Sequence, residues 1–152
     1  MPEGGSVFID SNVLLYSVDS SDLKKQRQVW EWLTPLWEQG DGRLSWQVLH
    51  EFYANAVRKL RLGSPEARTI VRGYVQWNPV ETTLGLIERA WHWTDEAQLV
   101  YWDSLILAAA ERSACVWLLS EDFQAGRSYG AVTVVNPFLQ TPEQVCVRTK
   151  PR

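Results

Sequence analysis

The chain is poor in the residues that make soft-metal sites and covalent frameworks. Its 152 residues include two cysteines, Cys115 and Cys146, and two histidines, His50 and His92. The cysteines have no metal-type spacing, which argues against a zinc ribbon and for a reduced, cytoplasmic protein. Cys115 reads as a small buried apolar residue. The histidines form no His-x-x-x-His pair, so they read as structural or surface groups and not as a zinc site. No apolar run approaches the ~20 residues that span a bilayer, so no membrane association is expected. The first apolar run is broken by Asp10, which argues against a signal peptide. Gly-x-x-x-x-Gly-Lys and Gly-x-Gly-x-x-Gly are missing, which removes a P-loop and a dinucleotide site. Ser45 and Ser120 lack the Gly-x-Ser-x-Gly elbow of esterases. Positive charge is also short. The net charge of -3 gives no global field for nonspecific nucleic-acid binding. It leaves room for a nuclease whose acidic pocket is neutralised locally by a metal.

Hydrophobic residues make up 45% and charged residues 22% of the chain, the balance of an ordinary globular domain. The nine Trp are expected mostly in the core, with some covering a partner surface. Ser6 to Asp10 reads as a buried strand followed by a helical turn. A helix capped by Ser21 or Asp22 runs to about Gln39 with Leu23, Trp30, Leu33 and Trp37 on its apolar side, and Gly40-Asp41-Gly42 stops it. Arg43 to Ser45 reads as a short strand. A helix from Trp46 to about Leu62 carries the stripe Leu49, Phe52, Tyr53, Ala56, Val57 and Leu60. Gly63 ends it, and Ser64-Pro65 starts another helix with Ser as the cap. Val80 to Thr82 is a weak strand, Thr83 to about Ala97 and Trp102 to Arg112 are helices, and Val116 to Leu119 and Ala131 to Val135 are strands.

Alternating strands and helices imply a parallel sheet covered on both faces. Right-handed crossovers place every strand's C-terminal end on one edge, where ligands bind. Asp10 and Asp122 both follow strands and belong on that edge. Glu51 borders the apolar stripe of its helix, and Asp103 sits in an apolar helix where an ionised carboxylate needs a partner. Each has an ordinary structural reading: turn bonds for Asp10 and Asp122, solvation for Glu51, the helix dipole for Asp103. Gathered together, the four make an acidic pocket. With so little His or Cys its donors are oxygen, which suits Mg²⁺ or Mn²⁺. Such an ion makes metal-assisted phosphodiester hydrolysis the leading chemistry. Asn12 and Ser11 supply polar groups that orient a carboxylate. Glu121 neighbours Asp122, and only one of the two should enter the pocket. Arg58, Lys59 and Arg61 read as cations favourably placed near a helix C-terminus.

These acids stand in settings that resemble the PIN domain family over about Val7 to Phe138. The segment Phe8-Ile9-Asp10-Ser11-Asn12-Val13-Leu14-Leu15-Tyr16 is similar to the family's opening strand and turn. Glu51 in Val48-Leu49-His50-Glu51-Phe52 resembles its second acid, and Asp103 in Tyr101-Trp102-Asp103-Ser104-Leu105-Ile106 its third. Ser120-Glu121-Asp122 resembles its Ser/Thr-x-Asp motif. The surroundings of that motif, Leu119 to Gly126, with Val134-Val135-Asn136-Pro137-Phe138, look like the end of VapC-type toxins. The resemblance implies an α/β/α sandwich with about five strands in the order 3-2-1-4-5. The single domain would span residues 1–138, with 139–152 as a C-terminal extension. It further implies an Mg²⁺- or Mn²⁺-dependent ribonuclease, often a homodimer, held in check by a cognate antitoxin. Asp10, Glu51, Asp103 and Asp122 would be the acidic cluster, with Asn12 and Ser120 in support. Two other classes fit less of the pattern. A phosphotransferase would use Asp10 as nucleophile, but Asn12 stands where its second Asp belongs. A non-catalytic module would keep the fold and bind RNA or protein without turnover.

Overall fold

The first buried run, Val7–Ile9 (β1), lies at the centre of a sheet and is fully inaccessible to solvent. In the computed structural model, which describes residues 5–145, it pairs in parallel with Gly42–Arg43 (β2) on one side and Trp117–Leu119 (β3) on the other. Beyond β3 lies Val132–Val135 (β5), also parallel. The edge is Ser128–Tyr129 (β4), antiparallel to β5. The sheet order is β2-β1-β3-β5-β4. The parallel run matches the expected order. The weak strand expected at Val80 to Thr82 is reduced to a single parallel bridge, Ser45 to Val80, beside β2. Pro79 removes a donor just before it, and Val80 exchanges bonds only with Leu44 and Trp46. The β4–β5 hairpin, with Gly130 at φ 59° in its turn, was not expected from the sequence.

Helices cover both faces of this sheet, giving a three-layer α/β/α sandwich. The chain supplies α1 (Ser11–Tyr16), α2 (Leu23–Gln39), α3 (Trp46–Arg58), α4 (Ser64–Tyr74), α5 (Leu84–Ala97) and α6 (Tyr101–Arg112). Asp22 caps α2 by accepting from the Lys25 amide, and Gly40 closes it at φ 71°, a conformation only glycine adopts freely. Three helical expectations change. The face of α2 that packs inward is Val29, Trp32, Leu33 and Leu36, while Leu23 and Trp30 are exposed. Trp30 keeps its indole at the surface because its N–H donates to the Ser17 carbonyl. The cap of α4 is Gly63 with no side-chain bond, so Ser64 is already helical and Pro65 sits in the first turn. α3 ends at Arg58, four residues short of Leu62, because the Leu62 amide turns back to the Ala56 carbonyl.

The core runs through both helical layers. Val7, Phe8, Ile9, Leu118, Leu119 and Val134 meet Leu33, Leu36, Leu49, Phe52, Ile106 and Leu107. Trp32, Trp77 and Trp93 are buried, Trp37, Trp46 and Trp117 pack against the core, and Trp30, Trp91 and Trp102 are exposed. Cys115 is buried, and burial pushes its thiol up to about 11. Beyond Phe138 the chain stays tied down: the Trp32 indole donates to the Gln140 carbonyl, and Val145 joins the core. The polar start at residues 1–4, Cys146 and the remainder of the C-terminal extension lie outside the described residues. Among the described residues no helix is long and apolar enough to cross a membrane.

Gly42 in β2 faces the Trp77 indole so closely that any Cβ would enter the ring. Trp77 is locked by Trp37 and Tyr74, whose ring centroids lie 4.9 Å away. Gly42→Ala is therefore expected to cost about 1–3 kcal/mol through overpacking. Gly63→Ala, with nothing nearer than 3.9 Å, should be close to neutral. Chemical denaturation of both variants checks the contrast.

Candidate active site

Parallel register brings the first and last acids together. Ile9 pairs with Leu119, and Leu119 with Val135. The ladder continues one residue further: the Asp10 amide donates to the Leu119 carbonyl and the Ser120 amide to the Val135 carbonyl. Asp10 and Ser120 are thus neighbours at the C-terminal edge. The Ser120 hydroxyl donates to Asp10 Oδ2 over 2.8 Å, and the Ser11 amide donates to Asp10 Oδ1 over 2.7 Å. Asn12 Nδ2 donates to Asp10 Oδ2 at 3.2 Å and to Asp122 Oδ2 at 2.9 Å. Asn12 thereby spans two carboxylates with one amide. Its Oδ1 accepts the Glu121 amide at 3.2 Å.

Glu51 joins from α3, which Ser45 starts by accepting the Val48 amide. Its Oε1 accepts the Ser11 hydroxyl at 2.9 Å, and its Oε2 accepts Gln47 Nε2 at 3.3 Å. Asp103 lies in the first turn of α6, where the helix dipole favours an anion. The next residue, Ser104, is wholly buried and accepts from the Thr94 hydroxyl of α5. With Ser104 directed at α5, Asp103 faces away from that contact and is half-buried, less deeply than its apolar surroundings suggest.

All four expected acids share one electrostatic neighbourhood. Burial is the main cause that raises Asp10 from 3.8 to about 7. The bonds from Ser120 and Ser11 oppose it, and the charges of Asp122 and Glu51 add to it. Asp103 is also raised, first by burial and then by the charges of Asp122 and Glu51. Glu121 takes no part. Its carboxylate receives Lys25 Nζ at 2.8 Å and the Tyr16 hydroxyl at 3.2 Å. Lys25 also lies over the Tyr16 and Phe138 rings. Ser11, expected to orient a carboxylate, serves Asp10 through its amide and Glu51 through its hydroxyl, whereas Gln47 and Lys25 had no expected role as partners of acidic residues. They carry no motif, and only the fold brings them to Glu51 and Glu121.

Among the described residues, no three Asp, Glu, His or Cys side chains converge tightly enough to surround one ion as they stand. The donor chemistry nonetheless fits a hard divalent cation. The donors are all oxygen, and mutual repulsion with burial drives protons onto Asp10 and Asp103, a pressure that a cation relieves. Asp10, Glu51, Asp103 and Asp122 are the groups that would hold it. A cleft of about 850 Å³ opens beside Glu51, walled by Trp46, Gln47, Tyr101 and Trp102.

The raised Asp10 has a stability consequence with a definite sign. The unfolded chain releases the Asp10 proton near 3.8, and the folded protein near 7. Asp10 then lowers stability progressively as pH rises between those values, by a total on the order of 4 kcal/mol, and adds no further loss above 7. In chelator, the difference in melting temperature between Asp10→Asn and the unsubstituted protein should widen from pH 4 to 7 in favour of Asn. Mn²⁺ should raise the melting temperature of the unsubstituted protein more at pH 7.5 than at pH 5. A pH-independent difference would contradict the buried, protonating carboxylate.

Comparison with known proteins agrees with this architecture. The family model described as PIN domain matches residues 7–128. Among solved structures, a chain described as "Toxin-antitoxin complex from Klebsiella pneumoniae" superposes with a TM-score of 0.64 at 20% identity, covering 87% of this chain and 98% of that one. No curated protein matches. The family model covers well over half of the chain and holds Asp10, Glu51, Asp103 and Asp122 within its bounds, so the chain belongs to the PIN domain family.

Proposed function

We propose that the chain is a divalent-metal-dependent endoribonuclease, the toxin of a type II toxin–antitoxin system. The observation that carries the reading is the buried Asp10 carboxylate, tied to Asp122 through Asn12 and raised to about 7 amid the charges of Glu51 and Asp122. A site used only for packing has no reason to keep this desolvated acid beside other acids. Mg²⁺ or Mn²⁺ held there supplies the positive charge that a phosphodiester needs for in-line attack by water. The protein's own groups set the stage. Ser120 and the Ser11 amide fix the Asp10 carboxylate, Asn12 fixes Asp122, and Ser11 with Gln47 fixes Glu51. Such orienting partners are usually worth about 10–100-fold in metal affinity or activity.

The assignment of a toxin, and with it an antitoxin partner, is supported by the fold likeness to a toxin–antitoxin complex and by the Leu119 to Gly126 resemblance. A homodimer rests on the family resemblance alone. RNA as substrate rests on the same resemblance. A non-catalytic module is the second reading, and one observation favours it: the acids do not close around an ion unaided.

Asp10→Asn should fold and lose RNA cleavage, and chelator should abolish cleavage by the unsubstituted protein. Ser120→Ala and Asn12→Ala should each lose about 10–100-fold. Glu121→Gln, directed at Lys25 and away from the acids, should retain most activity. The assay is incubation with an RNA pool, with Mn²⁺ or chelator, and mapping of cut sites. Full cleavage by a well-folded Asp10→Asn protein rejects the nuclease mechanism.

A further inference from the structure

Trp102 precedes Asp103 and remains 62% exposed, although an indole gains most by burial. It stands in the first turn of α6 with its ring 5.3 Å from that of Tyr101, inclined at 62°. Across the cleft stands Trp46, the first residue of α3. Gln47 ties the two walls to the acidic site. Its Nε2 donates both to the Trp102 carbonyl at 3.2 Å and to Glu51 Oε2 at 3.3 Å. Glu51 is therefore shared by the aromatic cleft and the carboxylate cluster. The cleft's volume of about 850 Å³ lies within the usual range of about 300–1,000 Å³ for ligand sites.

We propose that this cleft is a nucleobase subsite, in which an unpaired base of single-stranded RNA stacks on Trp102 next to the scissile phosphodiester. The proposal rests on the nuclease reading and adds the substrate's conformation. The cleft wall includes Glu51 and Glu81 and carries neither Lys nor Arg, so it repels a phosphate and accepts an uncharged ring. Gln47, Thr82 and His50 offer hydrogen-bonding groups around the aromatic surface. Stacking on an aromatic plane tolerates every base. The occupant also has to present a phosphodiester to the carboxylate cluster, which Glu51 joins to the cleft, and a single nucleotide does both. A second groove, between α3 and α4, shares Trp46 and His50 with the first and adds Arg68 and Arg72. It gives the neighbouring phosphate of the same strand a cationic wall. A base held in a duplex cannot reach Trp102, so the substrate is single-stranded or looped.

The test is fluorescence anisotropy with a labelled random pool of single-stranded RNA heptamers, at low salt with Mn²⁺ and in an Asp10→Asn background, so that binding is read without hydrolysis and with the remaining acids neutralised. Trp102→Ala should weaken binding about tenfold, and Trp102→Phe, which keeps a stacking face, should stay within about threefold. An abasic heptamer should bind weakly and respond to neither substitution, and a duplex of equal length should bind weakly. Unchanged heptamer affinity in Trp102→Ala overturns the subsite, as does an equal loss on the abasic strand, tight duplex binding, or no heptamer binding at all. If Trp102→Ala changes self-association and not RNA affinity, the cleft is a face for a second copy and the subsite is rejected. Cleavage mapping with Asp10→Asn reads the nuclease chemistry separately, so either idea can fail alone.

Discussion

The structure depends on one charge placed where it is costly. Asp10 ends the most buried strand of the sheet and is itself 4% exposed. Removing a carboxylate from water disfavours its charged form strongly. Bonds from Ser120 and the Ser11 amide soften that cost without abolishing it, so burial, with the charges of Asp122 and Glu51, still leaves the group near 7 and not near 3.8. The arrangement imposes demands on distant parts of the chain. β3 must end in register so that Ser120 reaches Asp10, and the loop after it must fold so that Asn12 can hold Asp122. Among the described residues every buried side-chain nitrogen and oxygen has a partner. The site is crowded with charge and complete in hydrogen bonds, a combination that fixes geometry while leaving the electrostatics poised for a cation.

Adjacent acids in one loop show how the fold separates position from function. Glu121 and Asp122 differ by one residue, and their side chains leave the backbone in different directions. Lys25, standing over Tyr16 and Phe138, draws Glu121 toward α1 and α2. The pair is about a third exposed on each side, so its contribution to stability is small, at most about 1 kcal/mol. The backbone of the same residue serves the site: the Glu121 amide donates to Asn12 Oδ1, and Asn12 Nδ2 donates to Asp122.

Much of this was legible in the sequence because it follows from local patterning. The run Val7-Phe8-Ile9 before Asp10, the stripe Leu49, Phe52 and Ala56 of α3, and the Leu- and Ala-rich α6 all have a period that a one-dimensional reading captures. The parallel order of β2, β1, β3 and β5 followed from alternation and from the family resemblance. The failures also have physical causes. β2 and β4 are two residues long, too short to carry any period. The inward face of α2 was misjudged because Leu23 lies in its first turn, off the sheet, and Trp30 finds a surface carbonyl for its N–H. Ser11 was legible as a group that orients a carboxylate, but its reach to Glu51, and Gln47 altogether, show only once α1 and α3 meet. The aromatic cleft is less visible still, since Trp46 and Trp102 are far apart in the chain.

The low positive charge of the chain bears on how such a site meets a polyanion. A protein with net charge -3 draws RNA by no long-range field, and its acidic pocket repels phosphate at close range. On the proposed function, two local features would offset this. A divalent ion held by Asp10, Glu51, Asp103 and Asp122 would reverse the sign of the potential where the scissile phosphate must sit. The cleft beside it takes the base by stacking, an interaction that releases no counterions and so depends little on salt. Affinity built this way is short-ranged and directional, and it discriminates by the shape of the strand. A rigid duplex presents phosphates outward and hides its bases, so it meets the repulsion without the compensating stack. A looped strand offers both parts at once. On the proposed function, the small net negative charge would itself contribute to specificity, because it withholds the long-range, sequence-independent attraction that would otherwise hold any RNA.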